Sequence, residues 1–223
     1  MVKEQGLPHY KIIPSMLAAD MTRFGEEASQ VIQAGADMIH IDVMDNHYVP
    51  NLTFGPLMCK ALRKRFVDLP MDVHIMAIPI DGLIQEFAEA GVQRISIHPD
   101  STIHLDRSLQ LIQQLGCKAG LAINPALSLD CLEWCIHRLD FVLVMTVNPG
   151  FGGQTLIPAV IKKIKKIHQK YPDLPICVDG GVGIDNIEHL AQAGATEFVA
   201  GSAIFHSENY ANTIAALRKK LDN

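Results

Sequence analysis

At 223 residues the chain can bury a full core, and its 48% hydrophobic and 19% charged content is that of an ordinary globular protein. A formal charge of −5 argues against a nucleic-acid binder, and no apolar run approaches the roughly 18 residues needed to cross a bilayer. Five cysteines, an odd number without zinc-type spacing, imply reduced structural thiols and a cytoplasmic protein.

Short β-branched runs recur along the chain, each followed by a stretch with helical spacing. The predicted strands are 11–17, 38–44, 71–76, 94–99, 118–124, 141–147, 175–181 and 197–203. The predicted helices lie near 20–33, 55–66, 81–90, 104–115, 128–137, 155–170, 184–193 and 209–221. Gly35, Gly91, Gly116 and Gly194 each stand where a helix should stop, just before the next strand. The one basic cluster, from Lys162 to Lys170, is interleaved with Ile161, Ile164 and Ile167, so it reads as the wet face of an amphipathic helix.

Strict strand–helix alternation gives a parallel sheet with right-handed crossovers, and eight units close into a (β/α)8 TIM barrel. No linker or composition break interrupts it, so residues 1–223 read as one domain. A doubly wound open sheet would place a Gly-rich turn after its first strand, and Leu17-Ala18-Ala19-Asp20 supplies none.

The second strand shows where the chemistry lies. Ile39, Ile41 and Val43 suit the face that packs on helices, so His40, Asp42 and Met44 point into the barrel. The same parity turns His74 and Met76 inward on strand three. Active sites of such barrels sit at the C-terminal strand ends, where strand one contributes Ser15 and strand seven contributes Asp179. A single inward histidine is usually a satisfied core residue. His40, Asp42, His74 and Asp179 on one rim instead make a mixed nitrogen and oxygen site for a divalent metal.

Glycines form the other half of the rim. Gly150-Phe151-Gly152-Gly153, Gly180-Gly181 and Gly201-Ser202 occupy the loops where such barrels bind phosphate through backbone N–H groups and helix N-termini. No nucleophile with a neighbouring base stands in these loops. Asp42 and Asp179, on different sides of the mouth, suit proton removal from one face of a sugar carbon and return to the other, through an enediolate. That is epimerisation of a ketose phosphate. Met44, Met76 and Met145 either fill core gaps or form a water-poor lid over the site.

The residues resemble those of the ribulose-phosphate 3-epimerases of the pentose phosphate pathway along nearly the whole chain. The resemblance rests on Pro14–Asp20, His40–Asp45, Val49–Pro56, Asp72–Met76, Val147–Gln154, Val178–Val182 and Ala200–Phe205. It implies one divalent ion per subunit, zinc, iron(II), manganese or cobalt, held by His40, Asp42, His74 and Asp179. It also implies Asp42 and Asp179 as the acid/base pair, and substrate contacts from Ser15, His74, Gly150, Phe151, Gly152, Gly153, Asp179, Gly180, Gly181, Gly201 and Ser202. A homo-oligomer acting on a small sugar phosphate, without nucleic acid or membrane, is the implied setting. Two positions depart from the family pattern: Asn46 where glycine is usual, and Asp100 where glutamate is common. An epimerase of six-carbon ketose phosphates, a sugar-phosphate binder without catalysis and a metal-dependent phosphatase are the rival readings. The last is disfavoured because the phosphate loops and the metal ligands lie on separate strands.

Overall fold

A computed structural model describes residues 10–222, so residues 1–9 and 223 of the expected 1–223 domain lie outside the described residues. The strands are β1 (Lys11–Pro14), β2 (Ile39–Met44), β3 (Met71–Met76), β4 (Arg94–Ile97), β5 (Lys118–Ile123), β6 (Phe141–Met145), β7 (Ile176–Asp179) and β8 (Glu197–Ala200). Between and after them run α1 (Phe24–Gln33), α2 (Pro56–Arg65), α3 (Asp81–Glu89), α4 (Leu105–Gln114), α5 (Asp130–Cys135), α6 (Val160–Lys170), α7 (Ile187–Gln192), α8 (Ser202–Phe205) and α9 (Tyr210–Leu221). All strand pairs are parallel, in the order β1-β8-β7-β6-β5-β4-β3-β2. A bridge between Ser15 and His40 brings β1 and β2 together and closes the barrel.

Side-chain alternation divides the apolar residues into two groups. Ile39, Ile41, Val73 and Ile75 belong to the large core shared with Ile84, Phe87, Leu109 and Ile112 of the covering helices. Each such fully buried side chain contributes about 1.5–3 kcal/mol relative to exposure. Ile13, Ala122, Phe141, Leu143, Met145, Cys177 and Val199 pack separately, inside the ring. Gly120 is required there, because a Cβ on it would lie 2.2 Å from the Phe141 ring. The four glycine helix stops all take positive φ, as a left-handed terminator must: +98° at Gly35, +79° at Gly91, +82° at Gly116 and +109° at Gly194.

Several elements are shorter than their sequence patterns. β1 ends at Pro14, β7 at Asp179 and β8 at Ala200, three, two and three residues before the expected ends at 17, 181 and 203. At β7 the cause is Gly180 and Gly181, whose φ of +115° and +66° takes the chain out of the sheet. At β8 it is α8, a short helix absent from the sequence prediction, which begins at Ser202. α6 begins at Val160 and α7 at Ile187, not near 155 and 184. The segment before α6 is instead drawn over the mouth, with the Ile157 N–H donating to the Thr146 carbonyl at 2.8 Å. The Gly150–Gly153 loop therefore does not run directly into a helix N-terminus, and neither does Gly180-Gly181; only Gly201 does, at α8.

Candidate active site

The parallel register sets polar residues side by side across the inner wall: His40 opposite Asp72 opposite Arg94, and Asp42 opposite His74 opposite Ser96. β7 brings Asp179 to the same level from across the barrel. One donor atom from each of His40, Asp42, His74 and Asp179 lies within 4.8 Å of the others, and all four residues are buried. His40 Nε2 stands 3.3 Å from Asp42 Oδ1 and 3.7 Å from Asp179 Oδ2, and His74 Nδ1 stands 3.2 Å and 3.8 Å from the same two atoms.

The surroundings of this cluster fit a cation. His40 Nδ1 faces Asp72 Oδ2 at 2.7 Å, so that the ring, when neutral, keeps its proton on Nδ1 and can turn an Nε2 lone pair toward a cation between Asp42 and Asp179. Nε2 is buried without a hydrogen-bond partner. His74 Nε2 meets His98 Nε2 at 2.8 Å, so His74 can present its Nδ1 lone pair in the same way. Two imidazole nitrogens and two carboxylates converging on one point form a donor set suited to zinc or another divalent transition metal.

Electrostatics separates the two carboxylates. Burial opposes the charge on Asp42, but His40 and His74 beside it outweigh that and hold its carboxyl well below the usual range. Burial, reinforced by the charge of Asp42, pushes Asp179 up to about 7. Without a bound cation the two carboxyl groups thus differ in proton affinity, Asp42 held low and Asp179 raised. Burial likewise holds His98 neutral, with its pKa well below the ordinary histidine value. Their backbones are also pinned: Thr53 Oγ1 donates to the Asp42 carbonyl, and Thr146 Oγ1 to the Asp179 carbonyl at 2.8 Å.

A cavity of about 440 Å³ opens above the cluster. Ser15, Asp42, Asp179, Gly150, Phe151, Gly152, Gly153, Gly180, Gly181, Gly201 and Ser202 all line it, with Met44, Met76 and Met145. Ser15 Oγ donates to Asp42 Oδ2 at 2.8 Å. His40 and His74 are fully buried below and are not part of the lining. Among the described residues no Lys or Arg lines the cavity, so an anion there meets backbone N–H groups and hydroxyls. Gly181 is forced by this packing: a Cβ would lie 2.6 Å from Leu156 N and 2.8 Å from Gln154 O.

The two departures have structural accounts. Asn46 adopts φ +58°, the conformation glycine would supply, and its N–H donates to Asn51 O at 2.7 Å. Asp100 accepts from the Tyr48 hydroxyl at 2.8 Å, which in turn accepts from Asn124 Nδ2 at 3.0 Å, tying the loops after β2, β4 and β5 together. The sequence reading missed His98, Tyr48, Thr53 and Thr146. His98 had a signal: it follows Arg94 and Ser96 at the inward parity of β4.

Comparison with known proteins gives the family. The model of the ribulose-phosphate 3 epimerase family matches residues 11–205. The chain is 47% identical over 219 residues to the ribulose-phosphate 3-epimerase of Escherichia coli K12, covering 96% of this chain and 97% of that one. It is 50% identical over 203 residues to ribulose-phosphate 3-epimerase 1 of Cupriavidus necator, covering 87% and 84%. Among solved structures, KGPDC from Streptococcus mutans superposes with a TM-score of 0.73 at 15% identity, over 97% of this chain and 98% of that one. The tryptophan synthase alpha chain of Legionella pneumophila gives 0.68 at 15%, over 96% and 92%; both likenesses speak for the barrel alone. With its barrel and rim residues in view, and with relatives of this similarity over nearly its full length, the chain belongs to the ribulose-phosphate 3-epimerase family.

Proposed function

We propose that this chain is a metal-dependent epimerase interconverting D-ribulose 5-phosphate and D-xylulose 5-phosphate in the pentose phosphate pathway. The observation that supports this most directly is the pair of buried carboxyls, Asp42 and Asp179, converging on one point beside two histidines at the floor of the cavity. One of Asp42 and Asp179 takes the proton from C3 of the ketose, and the other delivers one to the opposite face; the reverse reaction exchanges the roles. His40, Asp42, His74 and Asp179 would hold one divalent ion, which when bound would supply Lewis-acid stabilisation of negative charge on the substrate. Zinc and iron(II) suit the donor set, and manganese and cobalt are accommodated. Ser15 orients Asp42 through its hydrogen bond, and the Gly150–Gly153, Gly180-Gly181 and Gly201-Ser202 loops hold the phosphate. Met44, Met76 and Met145 keep the reacting end of the cavity poor in water. In this reading the whole chain acts as one barrel domain in a cytoplasmic homo-oligomer.

Turnover of D-ribulose 5-phosphate in deuterium oxide tests the proposal. The D-xylulose 5-phosphate formed should carry solvent deuterium at C3, and chelation should stop its formation. Product free of deuterium, or turnover by demonstrably metal-free protein, would contradict the mechanism.

A further inference from the structure

Beneath the cluster the barrel contains a chain of charges that takes no part in the proton transfers. Lys11 Nζ on β1 donates to Glu197 Oε1 on β8 at 2.7 Å. Glu197 Oε2 accepts from Arg94 Nη1 on β4 at 2.6 Å, and Arg94 Nε donates to Asp72 Oδ1 on β3 at 2.8 Å. Asp72 Oδ2 then meets His40 Nδ1 at 2.7 Å. Arg94, Asp72 and Glu197 are 4%, 0% and 3% exposed. The guanidinium carbon lies 3.7 Å from the centroid of the Phe141 ring, which itself occupies space left by Gly120.

Stability alone does not account for this arrangement. Buried ion pairs barely repay their desolvation, and apolar residues of similar volume often serve as well or better. The opposite side of the same interior is filled in that apolar way, by Leu143, Cys177 and Val199. The chain has a direction instead. Every group in its middle is two-ended, so fixing one end fixes the other, and its last atom is His40 Nδ1. A guanidinium suits the centre, because its rigid fork serves carboxylates on two different strands at once, whereas an ammonium is a single point.

We propose that Arg94 and Glu197 are positioning residues that hold the Asp72 carboxylate against His40 Nδ1, aim the His40 Nε2 lone pair into the cluster, and thereby set its affinity for a divalent cation. The inference rests on the reading of His40, Asp42, His74 and Asp179 as the metal site. It extends control of that site to β4 and β8, which supply none of the four ligands.

The test measures Co²⁺ binding to metal-free, full-length protein, by competition with a chromophoric chelator and by the visible absorption of the bound ion. The double variant R94M/E197M removes both buried charges without changing net charge, and R94K keeps the charge but loses the fork. Both are expected to bind Co²⁺ about 10–100-fold more weakly, with an altered absorption band, as for loss of an outer partner of a ligating histidine. Affinities within about threefold of the parent and an unchanged band would overturn the proposal. If the double variant fails to fold, R94K decides by the same criteria. D179N serves as the ligand-deleting reference. Should the parent bind no Co²⁺, or D179N bind it as tightly as the parent, the metal-site reading itself fails and takes this inference with it.

Discussion

From β2 to β4 the inside of the barrel presents His40, Asp42, Asp72, His74, Arg94 and Ser96, whereas from β5 to β8 it presents mainly Ala122, Phe141, Leu143, Met145, Cys177 and Val199. The loops above the two halves differ in the opposite sense. Those after β6, β7 and β8 carry the glycines at the cavity, and the loop after β2 carries side-chain ties such as Tyr48 to Asp100. One half therefore works through ionisable side chains and the other through bare backbone. The physical reason is the cost of burial. Ionised side chains inside a protein must be paired, so they come as a connected network. Backbone N–H groups carry no net charge, and they can face an anion without a cation having to be desolvated first.

The sharpest way to break the comparison is at Asp179, one of two acids, with Glu197, that cross it. Asp179 belongs to the apolar half yet completes the cluster of the polar half. Asp179→Asn and Asp42→Asn should each lower kcat on D-ribulose 5-phosphate by about 10³-fold or more, since in the proposed mechanism each removes a proton-transfer group. A rate within about tenfold of the parent for either variant would remove it from that role. A smaller effect is expected on the backbone side. Gly181→Ala strains a φ of +66° and drives a Cβ into Leu156 and Gln154, so KM should rise about tenfold with kcat less affected. A loss confined to kcat would show that this loop serves the chemistry and not the anion.

The smallest effect concerns pH in metal-free protein. Burial and the Asp42 charge push Asp179 up to about 7. The folded state thus holds this proton more tightly than the unfolded chain, and the stability it contributes is complete below about pH 4 and lost as pH rises toward 7. Between about pH 5 and about pH 7 the urea midpoint of the metal-free parent should fall more steeply than that of Asp179→Asn. Parallel slopes would mean that the carboxyl is not raised.

Much of this was legible before folding. The alternation of Ile39, Ile41 and Val43 with His40 and Asp42 follows from the two-residue period of a strand, which assigns faces without any knowledge of neighbours. Gly35, Gly91, Gly116 and Gly194 marked helix ends for an equally local reason, their tolerance of positive φ. Asn46 keeps the turn for a local reason too, since asparagine tolerates the positive φ of +58° found there. The strand ends were less legible, because Gly180-Gly181 and the start of α8 redirect a chain whose hydrophobic pattern runs on unchanged.

Local pattern by itself determined which residues face inward, where helices stop, and that the chain is a barrel of eight units with acids, histidines and glycines on its rim. Which inward residues meet was decided by strand order and register, and, for those on distant strands, by closure of the ring. Arg94 and Glu197 stand 103 positions apart and pair because the barrel brings β4 and β8 across a common interior. Asp179 reaches the Asp42 cluster for the same reason, whereas His98 reaches His74 through pairing of the neighbouring strands β3 and β4. Periodicity is a property of neighbouring residues, whereas a contact across a closed sheet depends on strand order and stagger, which exist only once all eight strands are in place.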